Sequence, residues 1–198
     1  MRRGTHHATS VMCRTSELDH LIRRMMACGF SARHMGFPKP TGPWGAKLDE
    51  VWSRMAVGTI VALIGPNGRG KTQMAANLGA RVLLTGGTVR YTKALSFFIE
   101  IRATYSGSTP SDKEVLDSYI TPHVLVIDEI HQRGETDWES RVLTHLIDRR
   151  YDAQRDTILI GNQSKQDSLD ALGESIESRI VECGGIVTCD WQNFRKAT

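Results

Sequence analysis

Several features are scarce in this sequence of 198 residues, and each scarcity excludes a class of protein. No apolar run approaches the roughly 20 residues that a bilayer-spanning helix needs. The N-terminus, Met1–His7, lacks the apolar stretch of a secretion signal. The four cysteines form no C-x-x-C pair, and a chain of this size does not need disulfides for stability. We therefore expect a soluble cytoplasmic protein without a membrane partner.

An excess of one charge is also lacking. The net charge of +3 permits a nucleic-acid partner, but it falls short of the strongly basic composition that would by itself indicate one. Apolar residues make up 40% of the chain, which is enough for one sizeable core. Length and composition therefore predict one main domain with an appendage.

The N-terminal part divides into a helix and a linker. The helix is predicted to start at Ser16 and to stop at Gly29. Its apolar face carries Leu18, Leu21, Ile22, Met25 and Met26, and this face could dock on a partner or on the chain's own domain. Three of the six prolines then fall within residues 38–43, which indicates a linker. We predict an N-terminal arm at residues 1–45 and the main domain at 46–198.

Helices and strands alternate through the main domain. The predicted strands cover residues 59–64, 88–93, 123–127, 157–160 and 186–190. The predicted helices between them cover residues 71–84, 94–105, 112–119, 136–150 and 166–182. Strands separated by helices form a parallel sheet that is covered on both faces. The sequence therefore predicts an α/β fold with a mainly parallel five-stranded sheet between helices.

A phosphate-binding loop follows the first strand. The sequence G-P-N-G-R-G-K-T matches the P-loop pattern G-x-x-x-x-G-K-[ST] and lies between a buried strand and a helix start, as the motif requires. Glycines let successive N–H groups point at phosphate oxygens, and the helix N-terminus adds positive potential. The lysine would reach the β- and γ-phosphates of ATP, and the threonine hydroxyl would bind Mg²⁺. The predicted nucleotide-binding residues are Gly65, Pro66, Asn67, Gly68, Arg69, Gly70, Lys71 and Thr72.

Two carboxylates end the third predicted strand, where parallel sheets bind their ligands. Asp128 is predicted to hold Mg²⁺ together with Thr72, and Glu129 to polarise the attacking water. Asn162 follows the next strand along the chain. An asparagine there is a common turn residue, but its place after the acidic strand favours a role in orienting the water or in sensing the γ-phosphate.

From about Gly58 to Arg195 the chain resembles AAA+ ATPases of the DnaC-type helicase loader and IstB-type helper ATPase group. The resemblance rests on Asp128–Ile130, Leu146–Tyr151, Gly161–Asn162, Leu172–Glu174, Ser178–Ile180 and Asp190–Arg195.

The resemblance implies roles for single residues. Lys71 and Thr72 take the Walker A roles, Asp128 and Glu129 the Walker B roles, and Asn162 the sensor-1 role. Arg179 takes the place of the arginine finger that enters a neighbouring subunit's site, which implies self-association through the nucleotide interface. Arg195 is a candidate second sensor. Arg149 and Arg150 either complement their helix dipole or face a neighbouring subunit.

Single-stranded DNA is bound by aromatic side chains close to positive charge. The candidates for this contact are Tyr105, which follows Arg102 at a helix end, and Trp138, at the start of the helix after the acidic strand. Phe97 and Phe98 are assigned to the core.

The leading hypothesis is an AAA+ ATPase that engages single-stranded DNA and, through its N-terminal segment, a replicative helicase. One alternative is a transposition helper ATPase, which would prefer duplex DNA and a transposase. A second is a nucleotide-dependent switch that binds ATP without hydrolysing it, against which Glu129 speaks. A third is a viral packaging or superfamily-3-type motor, against which the I-D-R-R-Y sequence speaks.

Overall fold

The computed structural model describes residues 5–55, 58–105, 111–132, 134, 136–162 and 172–195. The helices are α1 (Thr5–Ala27), α2 (Gly42–Arg54), α3 (Lys71–Leu84), α4 (Ala94–Thr104), α5 (Asp112–Ile120), α6 (Asp137–Asp152) and α7 (Glu174–Cys183). The strands are β1 (Ile60–Ile64), β2 (Val89–Lys93), β3 (Val124–Asp128), β4 (Asp156–Gly161) and β5 (Gly185–Thr188). None of the described helices is long and apolar enough to cross a bilayer.

The strands form one five-stranded sheet in the order β2-β3-β4-β1-β5, and every neighbouring pair is parallel. The predicted α/β fold with a parallel five-stranded sheet is confirmed. In a parallel sheet all carboxyl ends lie at one edge. The residues that follow β1, β3 and β4 therefore meet there.

Both faces of the sheet are buried, which explains the unbroken apolar run of β1. Val61 and Leu63 belong to the core that α1, α2 and α3 cover. Ile60, Ala62 and Ile64 belong to the opposite core, which α4, α5, α6 and α7 cover. Successive strand residues point to opposite faces, so a strand covered on both sides is apolar at every position.

Helix α1 begins at Thr5, so the predicted start at Ser16 is wrong. No glycine or proline interrupts residues 5–27, and without such a breaker the helix extends upstream of its apolar stripe. The predicted stop is confirmed, since Gly29 has a φ of +100°. Met25 is fully buried in the core beside α3, while Leu18 and Met26 are half exposed. The apolar face of α1 thus docks in part on the chain's own domain.

We call residues 28–41 the connecting arm. It contains a short 3-10 helix, Ala32–His34, and it buries Phe30 and Met35 in the core that α3 also lines. The arm therefore packs along the domain over its apolar positions. The division into two units at residue 45 stays a prediction.

The last elements differ slightly from their predicted ranges. Helix α7 ends at Cys183, and β5 covers Gly185–Thr188, earlier than the predicted 186–190. Residues 163–171, which hold the first part of the helix predicted at 166–182, lie outside the described residues.

Candidate active site

The P-loop connects β1 to α3 and needs glycine for two physical reasons. Gly68 and Gly70 have φ values of +82° and +74°, in the left-handed region that L side chains rarely adopt. A Cβ at Gly68 would also overlap the side-chain amide of Asn193. Gly70 is the N-cap of α3, so the loop leads directly into a helix N-terminus. This arrangement is suited to binding phosphate.

Lys71 is the first residue of α3, and only 5% of its surface is exposed. Its Nζ donates hydrogen bonds to the carbonyl oxygens of Gly65 (2.6 Å) and Pro66 (2.8 Å). Burial lowers the pKa of the Lys71 ammonium, and nearby Cys189 and Asp128 oppose that shift. The loop thus holds a desolvated cation at the place where the motif puts the phosphates.

Thr72 and Asp128 meet across the gap between α3 and β3. The Thr72 Oγ1 donates to Asp128 Oδ2 at 2.8 Å, and the backbone N–H of Glu129 donates to Asp128 Oδ1 at 2.8 Å. Mg²⁺ prefers oxygen ligands and usually keeps several waters. One hydroxyl and one carboxylate at the helix N-terminus fit such an ion.

Glu129 is next to this pair and has a left-handed backbone with φ of +56°. A non-glycine residue in this region costs about 1–3 kcal/mol, and such residues cluster at functional sites. The Glu129 Oε2 lies 2.9 Å from the Nζ of Lys93, the last residue of β2. In the sheet register Lys93 is directly opposite Asp128. The two strand ends thus place a cation beside both carboxylates.

A cavity of about 630 Å³ lies between the P-loop, the strand ends and the connecting arm. Asn162 and Arg195 line it, as do Asp128 and Glu129. Its cationic residues outnumber these two carboxylates, and they are Arg33, Lys39, Arg69, Lys71, Lys93 and Arg195. This excess of positive charge suits a polyanion such as a triphosphate.

Residues 191–195 pack against the P-loop. The Trp191 Nε1 donates to the Arg69 carbonyl oxygen at 2.7 Å, and the Arg69 guanidinium donates to the Trp191 carbonyl oxygen. The Phe194 N–H donates to the Gly68 carbonyl oxygen at 2.9 Å. The Phe194 ring is edge-on to Trp44, whose Nε1 donates to the Gly70 carbonyl oxygen at 3.2 Å. Two aromatic residues thus line the cavity beside the loop.

The connecting arm forms another wall of the cavity, and α3 holds it there. The Gln73 Nε2 donates to the His34 carbonyl oxygen and to Asn77 Oδ1, both at 3.0 Å. The Asn77 Nδ2 in turn donates to the Pro38 carbonyl oxygen at 3.3 Å. The segment predicted as a linker therefore contributes directly to the site.

Arg179 lies on α7 and is absent from the residues that line the cavity. Its Nη2 forms an ion pair with Asp148 Oδ1 at 3.0 Å, and its Nη1 donates to Ser175. The guanidinium is also 5.3 Å from the Tyr151 ring centroid. Arg179 is therefore placed away from the site of its own chain, and its role stays a prediction.

Arg150 lies in the last turn of α6, where its charge complements the helix dipole, but it does not face a neighbouring subunit. It is fully buried, and its guanidinium donates to the carbonyl oxygens of Tyr119 (2.8 Å), Ile120 (2.9 Å) and Pro122 (3.1 Å). It also donates to Thr157 Oγ1 at 2.9 Å and to the Asp156 carbonyl oxygen. Arg150 thus ties the α5–β3 connection to the start of β4.

The proposed DNA-contacting residues form a cluster apart from the cavity. The Tyr105 and Trp138 rings are edge-on with centroids 6.1 Å apart, and the Arg102 guanidinium is 4.7 Å from the Trp138 centroid. Tyr105 is 61% exposed, so a base could reach it. Phe97 and Phe98 are buried, as predicted. We call Arg102, Tyr105 and Trp138 the aromatic cluster.

Sequence reasoning missed several residues that line the cavity, among them Tyr91, Trp44 and Phe194. The Tyr91 hydroxyl donates to Asp128 Oδ2 at 2.9 Å. Alternate residues of a strand share one face, so Tyr91 lies on the same face of β2 as Lys93. This period of two could have indicated that Tyr91 belongs to the site. Trp44 precedes the P-loop in the sequence and Phe194 follows it by more than 100 residues, so no local sequence pattern predicts their contact.

The comparisons with known proteins identify the family and the fold. The family model described as IstB-like ATP binding protein matches residues 53–196. The chain is 27% identical over 141 residues to the replicative helicase loader DnaC of Escherichia coli (strain K12). This match covers 70% of the chain and 58% of DnaC, so the chain spans less than two thirds of that relative.

Solved structures show the same fold. A crystal structure of the DnaC helicase loader superposes with a TM-score of 0.68 at 18% identity, over 80% of this chain and 99% of that one. The replication initiator DnaA bound to AMPPCP and single-stranded DNA gives a TM-score of 0.65 at 19% identity, over 77% of this chain and 48% of that one. At this level of identity the likeness shows the fold alone.

Proposed function

This chain belongs to the IstB-like ATP binding proteins, and we propose that it binds ATP with Mg²⁺ in the cavity at the P-loop and hydrolyses it. The observation that carries the proposal is the convergence of Thr72 and Asp128, at 2.8 Å, beside Glu129. These are an Mg²⁺-compatible pair and an adjacent carboxylate that can act as a base. The DnaA neighbour bound to AMPPCP supports a nucleotide in this fold.

In the proposed reaction the P-loop N–H groups and Lys71 bind the β- and γ-phosphates. Glu129 accepts a hydrogen bond from the water that attacks the γ-phosphorus, and it takes up the proton as ADP and phosphate form. Asn162 lines the cavity and orients that water. A bound Mg²⁺ would neutralise the charge on the phosphate oxygens, and Thr72 and Asp128 would hold it. When ATP binds, the Lys71 Nζ exchanges the carbonyl oxygens of Gly65 and Pro66 for phosphate oxygens.

We propose that the ATPase acts in DNA replication as a helicase loader that engages single-stranded DNA and a replicative helicase. The similarity to DnaC, named a replicative helicase loader, supports this assignment. In the aromatic cluster, the exposed Tyr105 and the partly buried Trp138 offer rings for stacking and Arg102 supplies the positive charge, the combination that single strands bind. The proposed helicase contact is the N-terminal segment, where Leu18 and Met26 remain exposed.

Binding to labelled single-stranded and duplex DNA tests this role. We expect a preference for the single strand, and we expect Tyr105→Ala to weaken that binding by about 5- to 150-fold, since stacking contributes about 1–3 kcal/mol per base. Leu84→Ala is the control, because Leu84 is 71% exposed at the end of α3 and lies outside the aromatic cluster. Unchanged binding by Tyr105→Ala would refute the proposed contact.

The second candidate is a transposition helper ATPase, which the family description IstB-like favours. Pulldown separates the two assignments. A helicase loader should retain a replicative helicase in the presence of ATP, whereas a helper ATPase should retain a transposase and prefer duplex DNA. Failure to retain the helicase, with or without ATP, would favour the second candidate.

We also propose that Arg179 completes the site of a neighbouring subunit. Its position outside its own cavity supports an action in trans, because a guanidinium from outside can offset the charge on the γ-phosphate. Release of its ion pair with Asp148 would free it for that contact.

Mixing two defective variants tests this assembly. Arg179→Ala keeps Glu129 and lacks the arginine, while Glu129→Gln lacks the base and keeps the arginine. We expect each variant alone to be nearly inactive and an equimolar mixture to regain turnover, because mixed interfaces pair an intact base with an intact arginine. In the wild type, turnover per subunit should rise with protein concentration. A mixture no more active than its components would contradict action in trans.

A further inference from the structure

Among the described residues, three donors fix the carboxylate of Asp128, and Tyr91 is the one without an assigned role. The Tyr91 hydroxyl donates to Asp128 Oδ2 at 2.9 Å, and the Thr72 hydroxyl donates to the same oxygen at 2.8 Å. The Glu129 N–H donates to the other oxygen, Oδ1, at 2.8 Å. Hydrogen bonds to both oxygens therefore fix the orientation of the Asp128 carboxylate, and Tyr91 donates one of these bonds from β2.

Tyr91 remains a hydrogen-bond donor at neutral pH. A phenol ordinarily keeps its proton at neutral pH, and here the O–H points at Asp128 Oδ2. A neutral phenol can orient a carboxylate without adding charge to the site.

The connecting arm in turn holds Tyr91. The Tyr91 N–H donates to the Cys28 carbonyl oxygen at 2.7 Å, and the Phe30 ring lies on the Tyr91 ring with centroids 4.7 Å apart. Between them is Gly29, where a Cβ would overlap the Tyr91 carbonyl oxygen. The turn that ends α1 is thus fitted to the backbone and to the ring of Tyr91.

We propose that Tyr91 is a positioning residue for the metal-binding carboxylate of Asp128, and that the turn of Cys28, Gly29 and Phe30 keeps it in place. This inference rests on the proposed binding of ATP with Mg²⁺. It implies that docking of the N-terminal helix and binding of the metal–nucleotide complex stabilise one another, because coupling between two sites is reciprocal.

The first test compares Tyr91→Phe with Tyr119→Phe in the full chain. Both changes delete one hydroxyl that donates to a carboxylate, but Tyr119 donates to Glu100, outside the cavity. The measurement is the dissociation constant of ATP, by calorimetry, across a series of Mg²⁺ concentrations and in EDTA. We expect Tyr91→Phe to raise the Mg²⁺ concentration for half-maximal effect about tenfold, as for other groups that orient metal ligands. Affinity in EDTA should change less than about twofold, and Tyr119→Phe should change neither value.

A packing role would give a different result. If Tyr91 only filled space, Tyr91→Phe would keep the ring and leave the Mg²⁺ dependence unchanged, and the proposal would be overturned. Equal weakening with Mg²⁺ and in EDTA would also overturn it, because the effect would not act through the metal ligand. Binding of Mn²⁺, followed by electron paramagnetic resonance, gives an independent reading of the same site without turnover.

The second test concerns the turn. Phe30→Leu removes the ring contact and leaves the Tyr91 hydroxyl, so we expect a smaller shift of the Mg²⁺ dependence in the same direction. The double variant Phe30→Leu/Tyr91→Phe should be no worse than Tyr91→Phe alone, since residues that act through one group are not additive. Additive shifts would overturn the coupling. If the wild type bound no ATP, the proposed function itself would fail, whatever the variants showed.

Discussion

Replacing Glu129 with glutamine is expected to lower ATP turnover by about 10²–10⁴-fold, the usual contribution of a general base, while ATP binding is retained. The amide has nearly the shape of the carboxylate, but it cannot accept the proton of the attacking water. It also loses the charge that pairs with Lys93 at 2.9 Å. Phosphate release at saturating ATP measures the turnover, and calorimetry measures the binding.

Two further variants make this result specific. Lys71→Ala should lose binding as well as turnover, because it removes the buried ammonium of the P-loop. Glu174→Gln should change neither, because Glu174 is exposed at the start of α7 and lies outside the cavity. Turnover that persists in Glu129→Gln would refute the assignment of the base. Turnover that persists in both Glu129→Gln and Lys71→Ala would place the ATPase site elsewhere.

The parts of the fold that follow from local rules could be predicted from the sequence. The unbroken apolar run before Gly65 indicates a strand buried on both faces, and β1 is that strand. The loop pattern and the paired carboxylates were each placed at a strand end, and a parallel sheet brings such ends to one edge. The meeting of Thr72 and Asp128 therefore follows from topology plus two short motifs.

The rest of the site depends on contacts between distant segments, which no local pattern encodes. The proline-containing stretch after residue 37 indicates a linker by composition, yet Pro38 and Lys39 line the cavity. The contact of Phe30 with Tyr91 depends on how the connecting arm lies on the domain. Strand alternation predicts that Tyr91 and Lys93 lie on the same face of β2. The hydrogen bond from Tyr91 to Asp128 also depends on the register between β2 and β3, which places Lys93 opposite Asp128.

Arg149 and Arg150 show most clearly what the sequence cannot predict. They are adjacent residues of the same type at a helix end, and no local pattern distinguishes them. Adjacent helical residues differ by about 100° around the axis. Arg149 is exposed to solvent, whereas Arg150 is fully buried. Composition and position cannot tell which of two neighbouring arginines faces inward, since burial of a charge is the rarer outcome. The carbonyl groups that accept from Arg150 come from segments that meet only in the folded chain.

Because Arg150 is buried and Arg149 is exposed, we expect replacement of Arg150 alone to lower the stability of the protein strongly. Arg150→Met is expected to lower the free energy of unfolding by about 3 kcal/mol or more, since each buried acceptor left without a partner costs about 1–3 kcal/mol. The carbonyl oxygens of Tyr119, Ile120 and Asp156 would lose their donor together. Burial lowers the pKa of Arg150 to about 9, which reflects the cost of desolvating the charge that these carbonyls offset. The methionine removes that cost, but it cannot supply the lost hydrogen bonds.

Urea denaturation of Arg150→Met against Arg149→Met measures the difference, because the two variants make the same chemical change at adjacent positions. With a slope of about 1–3 kcal/mol per molar urea, the midpoint of Arg150→Met should fall by about 1 M or more. Arg149→Met should stay near the wild type, as exposed substitutions usually do. Arg150→Lys keeps a cation with fewer donors and should fall between them. Equal midpoints for the two methionine variants would show that the buried guanidinium contributes no net stability.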